Sequence, residues 1–425
     1  MDIIVEKTES ISGVVSAPPS KAYTHRMLIA SSLSNGISKI FNPLISDDTQ
    51  ATLRAVNAFG IKTELDENCW KIYGQESVKT PLDPIDCRES GSTLRFMIPV
   101  AALASGPSKF LFGASFKKRP VSPLLKSLKD LGAESIVQKN GSSVLVCGGG
   151  INGGTTSIRG DISSQFISGL LFACPKAKED TEISISTPLE SKGYVEMTLE
   201  VIVKHGLDGS INPDLSKLWI PSNQIYSPCD HIVPGDFSSA AFLLAAAAVT
   251  LSKITVKNLN YNTSQGDMAI LEILGEMGGL VTVGNNFVNF EGEQLSAVDI
   301  DAQDIPDLVP VCAVLACYAH GTTEIFHAHR LKYKESNRLD SIYRELKKMG
   351  ANIIQKEDGL IIKGSSELNG TLIDSHNDHR IAMACTVAAL GAKGKTKIQN
   401  VECINKSYPE FLNDMKNLGV NLIGR

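Results

Sequence analysis

The sequence of 425 residues contains no C-x-x-C pair, although it has nine cysteines. They lie singly from Cys69 to Cys403 and are odd in number, which is not the pattern of a zinc site or a disulfide framework. No signal peptide is indicated, because Asp2 and Glu6 interrupt the first strand-like stretch. The longest apolar run, FLLAAAAV at 242–249, is too short to span a bilayer. We therefore expect a cytoplasmic protein with reduced thiols and no membrane partner.

An excess of positive charge is also missing. The 41 Lys and Arg residues face 46 Asp and Glu residues, which gives a formal net charge of -5. This balance argues against a nucleic-acid partner, so any anionic ligand must be held by a local cluster of cations. Neither a P-loop nor a G-x-G-x-x-G motif is present. The alternating His327 and His329 have no third ligand at a metal-binding spacing, so we predict no metal and no cofactor.

What the sequence does contain is an internal repeat of roughly seventy residues. Six segments have the spacing of one buried helical stripe and end in a glycine suited to a left-handed cap. They end at Gly60, Gly132, Gly206, Gly278, Gly350 and Gly419. An apolar residue directly precedes five of these glycines, whereas His205 precedes Gly206.

Helices of a second kind lie between these segments. They are small and apolar on nearly every side, so we expect them to be buried. Each unit then has the order β-α-β-α-β-β, and six units predict an α/β fold of two similar domains with three repeats each. Pro, Asp and Gly cluster at residues 222–237, and the last unit lacks a strand that the N-terminal MDIIVEK could supply. We predict a discontinuous domain of residues 1–13 plus 232–425 and an inserted domain of residues 14–231.

Several of the buried helices start with unexpected cations. In PPSKAYTHR, Ser20 is a helix cap, and Lys21 and Arg26 follow in the first two turns, where the helix dipole already places positive charge. Starts rich in small hydroxyl or polar residues also occur in ESGSTLRF, DISSQF, NDHRIAM and the amphipathic helix after LKYKESNRLD, and all of these except DISSQF bring a cation. Bound phosphate or carboxylate groups would turn this repulsion into pairing. We therefore predict an anion-binding cleft, with solvated surface charges and ordinary helix caps as the alternative.

Two carboxylates are candidates for acid–base chemistry. Asp307 lies in IPDLVP, and Glu335 lies between Lys334 and Arg338. A carboxylate among cations has a lowered pKa and stays ionised, which suits a base and an ion-pair partner equally. The residues alone leave both roles open.

Ten motifs, all in the same order, resemble the enolpyruvyl transferase family, and within it the members that act on shikimate 3-phosphate. They are SKAYTHR, SGSTLR, KKRP, SSQF, ESKGY, GDFSSAAF, IPD, KESNR, NDHR and NKSYP. The resemblance covers nearly the whole chain. It implies an inside-out α/β barrel in each domain, a two-strand hinge, and an active site in an interdomain cleft that closes on its substrates. It also implies that the enolpyruvyl group moves from phosphoenolpyruvate to the 5-hydroxyl of shikimate 3-phosphate through a tetrahedral ketal, releasing phosphate.

The resemblance assigns roles residue by residue. Lys21, Asp307 and Glu335 resemble the family's acid–base groups, without fixing which group moves which proton. The residues matched to phosphoenolpyruvate are Lys21, Gly91, Arg119, Gln165, Arg338, Arg380 and Lys406. The residues matched to shikimate 3-phosphate are Lys21, Arg26, Ser163, Ser164, Gln165, Ser191, Tyr194, Asp307 and Lys334. Both partners are small anions, and we expect a monomer.

The resemblance is incomplete at one position, where Ala22 follows Lys21 although the family usually has serine. That serine resembles a contact to the shikimate carboxylate, so one hydrogen bond is missing or comes from Thr24. Arg330 corresponds to no clear family role.

Two alternatives remain at this stage. The sister enzymes that use UDP-N-acetylglucosamine resemble the chain in repeat architecture but usually carry a reactive cysteine before the RP arginine, and GASFKKRP at 113–120 has none. A scaffold without enzymatic activity could also bind phosphorylated partners at basic helix ends, but it would need neither Asp307 nor Glu335.

Overall fold

The chain forms two compact units. The computed structural model describes residues 1–138, 141–365 and 367–424, without the side chains of Lys117 and Lys118. The discontinuous unit comprises Met1–Pro19 and Pro234–Arg425, and the inserted unit comprises Ser20–Val233. The boundaries expected from the sequence, 13/14 and 231/232, lie a few residues earlier and stay a prediction.

The α-helices of the described chain alternate between the two predicted kinds. In chain order they are α1 (Lys21–Ser32), α2 (Asp47–Ala58), α3 (Gly91–Ala102), α4 (Ser122–Asp130), α5 (Ser164–Ala173), α6 (Lys192–Lys204), α7 (Phe237–Val249), α8 (Ile270–Glu276), α9 (Val309–Tyr318), α10 (Arg338–Lys348), α11 (His379–Gly391) and α12 (Phe411–Asn417). The odd-numbered helices are buried on nearly every side, as their composition predicts, and form the centre of each unit's core. None of the helices in the described ranges combines the length and the apolar character that crossing a bilayer requires.

Each amphipathic helix ends as the repeat predicts. The glycines that follow α2, α4, α6, α8, α10 and α12 all have positive φ angles, between 79° and 104°. This left-handed conformation strains a side chain but not glycine. In α10, for example, the amide of Ala351 donates to the carbonyl oxygen of Leu346 across Gly350, which satisfies a carbonyl at the helix end.

Within the described ranges, the strands form six small sheets. In chain order they are β1 (Ile3–Glu6), β2 (Ser12–Ser16), β3 (Gly36–Phe41), β4 (Lys62–Leu65), β5 (Cys69–Gly74), β6 (Ile85–Asp86), β7 (Ser108–Leu111), β8 (Ser135–Val137), β9 (Ser143–Val146), β10 (Gly154–Ile158), β11 (Thr181–Ile185), β12 (Ser210–Ile211), β13 (Lys217–Ile220), β14 (His231–Ile232), β15 (Lys253–Lys257), β16 (Leu280–Gly284), β17 (Phe287–Glu291), β18 (Ile300–Asp301), β19 (Thr322–Phe326), β20 (Asn352–Gln355), β21 (Leu360–Lys363), β22 (Leu372–Asp374), β23 (Lys395–Gln399) and β24 (Leu422–Gly424). Each sheet has four strands, with one parallel pair followed by antiparallel neighbours. The predicted α/β class and its threefold repetition within each half are confirmed.

The N-terminal strand completes the last repeat, as predicted. β1 lies between β23 and β24 and pairs antiparallel with both, in the sheet ordered β22-β23-β1-β24. β2 then pairs parallel with β15, still in the discontinuous unit. At the end of the inserted unit, β14 pairs parallel with β3 and completes the first sheet of that unit. Each connection between the two units therefore follows a strand that is paired in a sheet.

Candidate active site

The start of α1 carries the cations that the sequence singled out. The Ser20 hydroxyl caps the helix by accepting from the amide of Tyr23, as predicted. The Lys21 ammonium donates to Asp48 Oδ2 at 3.1 Å, and both side chains are largely buried. Because Asp48 lies in the first turn of α2, this ion pair fixes the start of one helix against the next.

Arg26 is buried on the same helix and bonds to neutral acceptors of its own unit. Its guanidinium donates to Thr198 Oγ1 at 2.8 Å, to Ser168 Oγ at 3.3 Å and to the carbonyl oxygens of Ala22 and Tyr194 at 2.9 and 2.8 Å. Burial lowers the pKa of Arg26 to about 10, which still leaves it cationic at neutral pH. No carboxylate in the described part of the chain pairs with it. A buried cation of this kind is suited to an anionic ligand.

A chain of hydroxyl groups connects α1 with the starts of two other helices. His25 Nδ1 lies 2.7 Å from Thr52 Oγ1, which lies 2.7 Å from Thr93 Oγ1, which lies 2.7 Å from Ser90 Oγ. Ser90 caps α3 by accepting from the amide of Thr93. Burial, together with the charges of Lys21 and Arg26, lowers the pKa of His25 well below its usual value, so its ring is neutral.

Gly91, the first residue of α3, lies directly beneath Arg119. A Cβ atom at Gly91 would lie 2.8 Å from Arg119 Nη2 and 3.3 Å from the Phe116 ring. The Arg119 guanidinium is also held over that ring, 4.4 Å from its centroid. A side chain at position 91 would therefore displace this guanidinium, and both predicted residues lie together.

The start of α5 is tied to α3 through Arg95 and Gln165. Arg95 Nη1 donates to Gln165 Oε1 at 2.7 Å and to Ser163 Oγ at 3.4 Å, and Gln165 Nε2 donates to Ser92 Oγ at 3.0 Å. Ser163 caps α5, and Ser164 is buried as its first residue. The amide of Gln165 is consequently fixed between two helix starts.

Ser191 and Tyr194 lie at the start of α6. Ser191 is buried and has a left-handed backbone with φ of 54°. The Tyr194 carbonyl accepts from Arg26, and the Arg26 guanidinium lies 5.7 Å from the Tyr194 ring centroid. These contacts bring Arg26 and Tyr194, both predicted for one ligand, into one cluster.

In the discontinuous unit, Arg338 at the start of α10 holds three carboxylates. Nε donates to Asp378 Oδ2 at 2.8 Å, Nη1 to Asp307 Oδ1 at 2.7 Å and Nη2 to Glu335 Oε2 at 2.6 Å. Burial opposes the charge of Arg338, but the attraction of Asp378, Glu335 and Asp307 outweighs it and raises the pKa. The guanidinium is 1% exposed, so these pairs are shielded from water.

Asp307 also receives two other cations. Lys334 Nζ donates to Oδ1 at 3.2 Å, and Arg380 Nη2 donates to Oδ2 at 3.2 Å. Burial favours the neutral acid, but Arg380, Lys334 and Arg338 outweigh it and hold the pKa of Asp307 well below its usual value. Burial also lowers the pKa of Lys334 to about 8, although Asp307 acts in the opposite direction. Asp307 is thus ionised, whereas Lys334 titrates near neutral pH.

Lys406 bonds to a residue beside this network. It ends the 3-10 helix Val401–Lys406 and donates to the carbonyl oxygen of Asn377 at 2.9 Å. Asn377 directly precedes Asp378, which caps α11. Lys406 therefore contacts the loop that carries Asp378 and not the carboxylates themselves.

Sequence reasoning missed two residues on which these clusters depend. Asp48 and Asp378 are the acidic partners of Lys21 and Arg338. Arg95, which the sequence indicated only as the cation of a helix start, orients Gln165. Asp378 lies in NDHR directly before a buried helix, which is the position of a capping residue, and Asp48 follows the capping serine of α2. The capping position of Asp378 and the first-turn position of Asp48 were readable from the sequence, but their cationic partners were not. Arg330 donates to the carbonyl oxygen of Gln303 at 3.1 Å.

Thr24 does not supply the bond expected from the serine that Ala22 replaces. Its hydroxyl donates to the carbonyl oxygen of Ser20 at 2.8 Å and accepts from the amide of Leu44 at 3.1 Å. A hydroxyl has one proton to donate, so Thr24 cannot also donate to a ligand carboxylate. That alternative from the sequence is wrong.

The described residues include no cluster of side chains typical of a metal centre. Among the described residues, no group of three or more His, Cys, Asp or Glu side chains could hold a metal ion. His327 Nδ1 instead donates to Asp301 Oδ1 at 3.0 Å, and both side chains are exposed.

The chain is similar over its whole length to proteins of one family. A family model described as EPSP synthase (3-phosphoshikimate 1-carboxyvinyltransferase) matches residues 5–415. A 3-phosphoshikimate 1-carboxyvinyltransferase from Methanocaldococcus jannaschii is 44% identical over 426 residues, which cover 99% of each chain. One from Methanocella arvoryzae is 46% identical over 414 residues, covering 96% of this chain and 97% of the relative. In fold, the chain is similar to a solved EPSP synthase from Acinetobacter baumannii, with a TM-score of 0.85, 24% identity and coverage of 100% and 99%.

Proposed function

The chain belongs to the EPSP synthase (3-phosphoshikimate 1-carboxyvinyltransferase) family, and on this premise we propose how its residues carry out the reaction. The chain transfers the enolpyruvyl group of phosphoenolpyruvate to the 5-hydroxyl of shikimate 3-phosphate in the shikimate pathway of aromatic amino-acid biosynthesis. One observation supports this chemistry most directly. Asp307 is an ionised carboxylate among Arg338, Arg380 and Lys334, so one cluster contains a proton acceptor and cations for an anionic reactant.

The proposed phosphoenolpyruvate ligands share cationic or amide donor groups, and all except Arg119 and Lys406 lie at helix starts. The ligands are Lys21, Gly91, Arg119, Gln165, Arg338, Arg380 and Lys406. Planar guanidinium groups suit the carboxylate and phosphate of this substrate, because each can donate two parallel hydrogen bonds. As the C–O bond to phosphate breaks, negative charge grows on the leaving group, and fixed cations stabilise that charge.

The proposed ligands of shikimate 3-phosphate include Arg26 for the carboxylate and Ser163, Ser164, Ser191 and Lys334 for the phosphate. Lys21, Gln165, Tyr194 and Asp307 complete the set. Arg26 is supported by its burial without a carboxylate partner in the described residues. Ser163 and Ser164 are supported by their place at the start of α5, where backbone amides favour an anion.

The acid–base roles follow from the atoms that must move. The 5-hydroxyl oxygen forms a bond to C2 of phosphoenolpyruvate and loses its proton, while the methylene carbon C3 gains one, which gives the ketal. Phosphate then leaves with its bonding electron pair, and C3 returns a proton to restore the double bond. We assign the hydroxyl proton to Asp307, because its depressed pKa keeps it ionised. Glu335 exchanges the proton at C3, and Lys21 neutralises charge near the reacting groups.

Phosphate release tests the proposed function. Purified protein with phosphoenolpyruvate and shikimate 3-phosphate together should release inorganic phosphate and form the enolpyruvyl ether, whereas neither substrate alone should release it. Replacing shikimate 3-phosphate with UDP-N-acetylglucosamine should abolish release. Release with only the nucleotide sugar would overturn the assignment in favour of the sister activity. If neither acceptor supports phosphate release although phosphorylated ligands bind tightly, the result would favour a scaffold without enzymatic activity.

We also propose a cytoplasmic monomer. All nine cysteines lie in the described ranges and none forms a disulfide, which is consistent with a reducing compartment. Light scattering coupled to size-exclusion chromatography should give a mass near 45.6 kDa. A mass of twice that value would contradict the proposal.

Replacing Gly91 with alanine should weaken phosphoenolpyruvate binding without unfolding the protein. The new Cβ would lie 2.8 Å from Arg119 Nη2, the end of a flexible side chain, so the guanidinium moves and the backbone does not. We expect KM for phosphoenolpyruvate to rise roughly tenfold or more, corresponding to the loss of one charge-assisted bond. Steady-state kinetics at saturating shikimate 3-phosphate measure this.

Gly275→Ala is the matched control for that substitution. Gly275 lies in α8, and a Cβ there would meet no atom within 4 Å. Its KM should equal that of the wild type. An unchanged KM in the Gly91 variant would remove the contact between Gly91 and Arg119 from the binding site.

Replacing Ala22 with serine should strengthen binding of shikimate 3-phosphate. Ala22 lies one turn before Arg26 and its carbonyl accepts from that guanidinium, so the added hydroxyl lies beside the proposed carboxylate ligand. KM for shikimate 3-phosphate should fall roughly tenfold or more, because a hydrogen bond to a charged group contributes about 1.5–3 kcal/mol. The control is Ala269→Ser, a half-buried alanine in the discontinuous unit. An unchanged KM in the Ala22 variant contradicts this prediction.

A further inference from the structure

The loop between β22 and α11 has an unusual backbone. His376 and Asn377 both have φ of 53°, so two consecutive residues other than glycine are left-handed. Such a conformation persists only where surrounding contacts hold it in place. The loop runs from Asp374 to Asp378, and we call it the 374–378 loop.

The 374–378 loop supports the cations that are assigned to phosphoenolpyruvate. Its Asp378 accepts from Arg338 Nε and from the amide of Arg380, and its Asn377 carbonyl accepts from Lys406 Nζ. A shift of this loop would therefore move three proposed ligand groups together. The 374–378 loop therefore contacts all three of these groups.

One carboxylate of α10 holds the other end of the same loop. Glu345 Oε2 accepts from the amide of Asp374 at 3.1 Å, and Glu345 Oε1 accepts from His376 Nε2 at 2.9 Å. Glu345 lies two turns after Arg338, so both residues face the loop from one side of the helix. Arg338 donates to Asp378 at one end of the loop, and Glu345 accepts hydrogen bonds from Asp374 and His376 at the other.

The charges around this contact favour an imidazolium. Glu345 is fully buried and also accepts from Lys348 at 2.8 and 2.9 Å, and His376 Nδ1 lies 4.0 Å from Asp374 Oδ2. The hydrogen bond to Glu345 raises the pKa of His376, burial opposes this, and Asp374 reinforces it, whereas Lys348 acts against it. Burial alone would raise the pKa of Glu345, but the bonds from His376 and Lys348 lower it. His376 is thus the group of this contact that titrates closest to neutral pH.

We propose that Glu345 and His376 are positioning residues that form a proton-dependent clasp on the 374–378 loop, and so set the affinity for phosphoenolpyruvate. The clasp is closed by an ion pair when His376 is protonated and is weakened to a neutral hydrogen bond when it is not. The part that concerns phosphoenolpyruvate rests on the proposed function. The part that concerns the loop rests on the contacts alone.

Three variants at two positions test the clasp through kinetics. In the wild type, KM for phosphoenolpyruvate should rise as pH increases through the pKa of His376, because the imidazolium is lost. His376→Ala should raise this KM roughly tenfold at pH 6, with a smaller change in kcat. His376→Gln should keep KM near the wild-type value at pH 6, because the amide can donate to Glu345, but should lack the alkaline rise that His376 contributes. Glu345→Gln should behave as His376→Ala does.

His327→Ala is the matched control. His327 also contacts a carboxylate, that of Asp301, but both side chains are exposed and neither is assigned to the site. Its KM and pH profile should equal those of the wild type.

Hydrogen exchange of peptides that cover the 374–378 loop tests the clasp without any activity. At pH 6 the wild type and His376→Gln should protect the loop, whereas His376→Ala and Glu345→Gln should exchange it several times faster. If the wild type releases no phosphate, the proposed function fails while this measurement still judges the clasp.

The clasp proposal is overturned if His376→Ala has the same hydrogen exchange in the 374–378 loop and the same KM for phosphoenolpyruvate as the wild type. It is also overturned if the alkaline rise of this KM persists unchanged in His376→Gln. Faster exchange with an unchanged KM would equally reject the positioning role. If His376→Ala does not fold, the comparison of His376→Gln with the wild type remains decisive.

Discussion

Replacing Arg338 with methionine should lower kcat/KM about a thousandfold, the upper range for loss of one fixed donor to developing charge. It should also lower the free energy of unfolding by about 3–5 kcal/mol, the usual cost of removing one partner of a buried ion pair. Arg338 is 1% exposed and bonds to Asp307, Glu335 and Asp378, so methionine would leave three mostly buried carboxylates close together. Phosphate-release kinetics and urea unfolding measure the two effects.

Arg344→Met is the control on the same helix. Arg344 pairs with Asp340 at 2.8 Å, but its side chain is 62% exposed, and such surface pairs contribute little. We expect wild-type kinetics and a change in unfolding free energy within about 0.5 kcal/mol. If kcat/KM and the free energy of unfolding fall no further in Arg338→Met than in this control, the role given to the buried network is contradicted.

Acid titration of the Arg338→Met variant gives an independent test of the buried network. The pKa of Asp307 is depressed in the folded protein, so its contribution to stability is present above the unfolded value and is lost as pH falls through the folded value. Without Arg338, Asp307 loses one of its cations and its pKa rises towards the ordinary range. The variant should therefore begin to lose stability at a higher pH than the wild type when unfolding is followed from pH 7 downwards.

The repeating part of the fold could be predicted because local chemistry determines it. Each amphipathic helix ends at a glycine, and each of the six glycines adopts the left-handed conformation that a side chain would strain. The serine that caps α1 could be identified for a similar reason, since its hydroxyl accepts from an amide three residues away. Such signals lie within one helical turn, and a single sequence contains them in full.

The exception within the repeat shows where this reasoning stops. His205 occupies the position before Gly206 where the other five segments have an apolar residue. In the structure its Nδ1 lies 2.7 Å from the carbonyl oxygen of Ser227, and its Nε2 lies 2.9 Å from Nε2 of the buried His231 in β14. Periodicity indicates that position 205 is buried, but the partner lies on a strand after the third repeat. No spacing rule connects the two.

The same limit applies to the candidate site. Motifs and helix starts predicted which cations belong to it, because a cation at a helix start requires an explanation at that position. The carboxylates that hold these cations lie elsewhere in the sequence, as Asp378 does for Arg338, 40 residues away. Thr24 shows the reverse case, in which a plausible neighbour of Ala22 is already occupied by Ser20 and Leu44. Residue type predicted the charge of the candidate site, whereas tertiary packing determined which of its polar atoms can still bond to a ligand.

Replacing Asp307 with asparagine separates charge from shape at the centre of the network. The amide keeps the size of the carboxylate, and Arg338 retains Glu335 and Asp378, so the fold should persist. Removal of the proposed proton acceptor should lower kcat roughly a hundredfold to ten-thousandfold, the range for loss of general acid–base catalysis. Single-turnover phosphate release, measured at saturating concentrations of both substrates, isolates this effect from binding.

The same substitution should shift a second titration in a defined direction. Lys334 has a pKa of about 8, which burial lowers and Asp307 partly restores. In the wild type, KM for shikimate 3-phosphate should rise as pH increases through about 8, because the ammonium assigned to the substrate phosphate loses its proton. Without Asp307 the pKa of Lys334 falls further, so the rise in KM should begin at a lower pH. Asp301→Asn, an exposed aspartate in β18, should change neither quantity. A kcat within about threefold of the wild type would transfer the base role from Asp307 to another group, and an unshifted KM profile would separate Lys334 from the substrate phosphate.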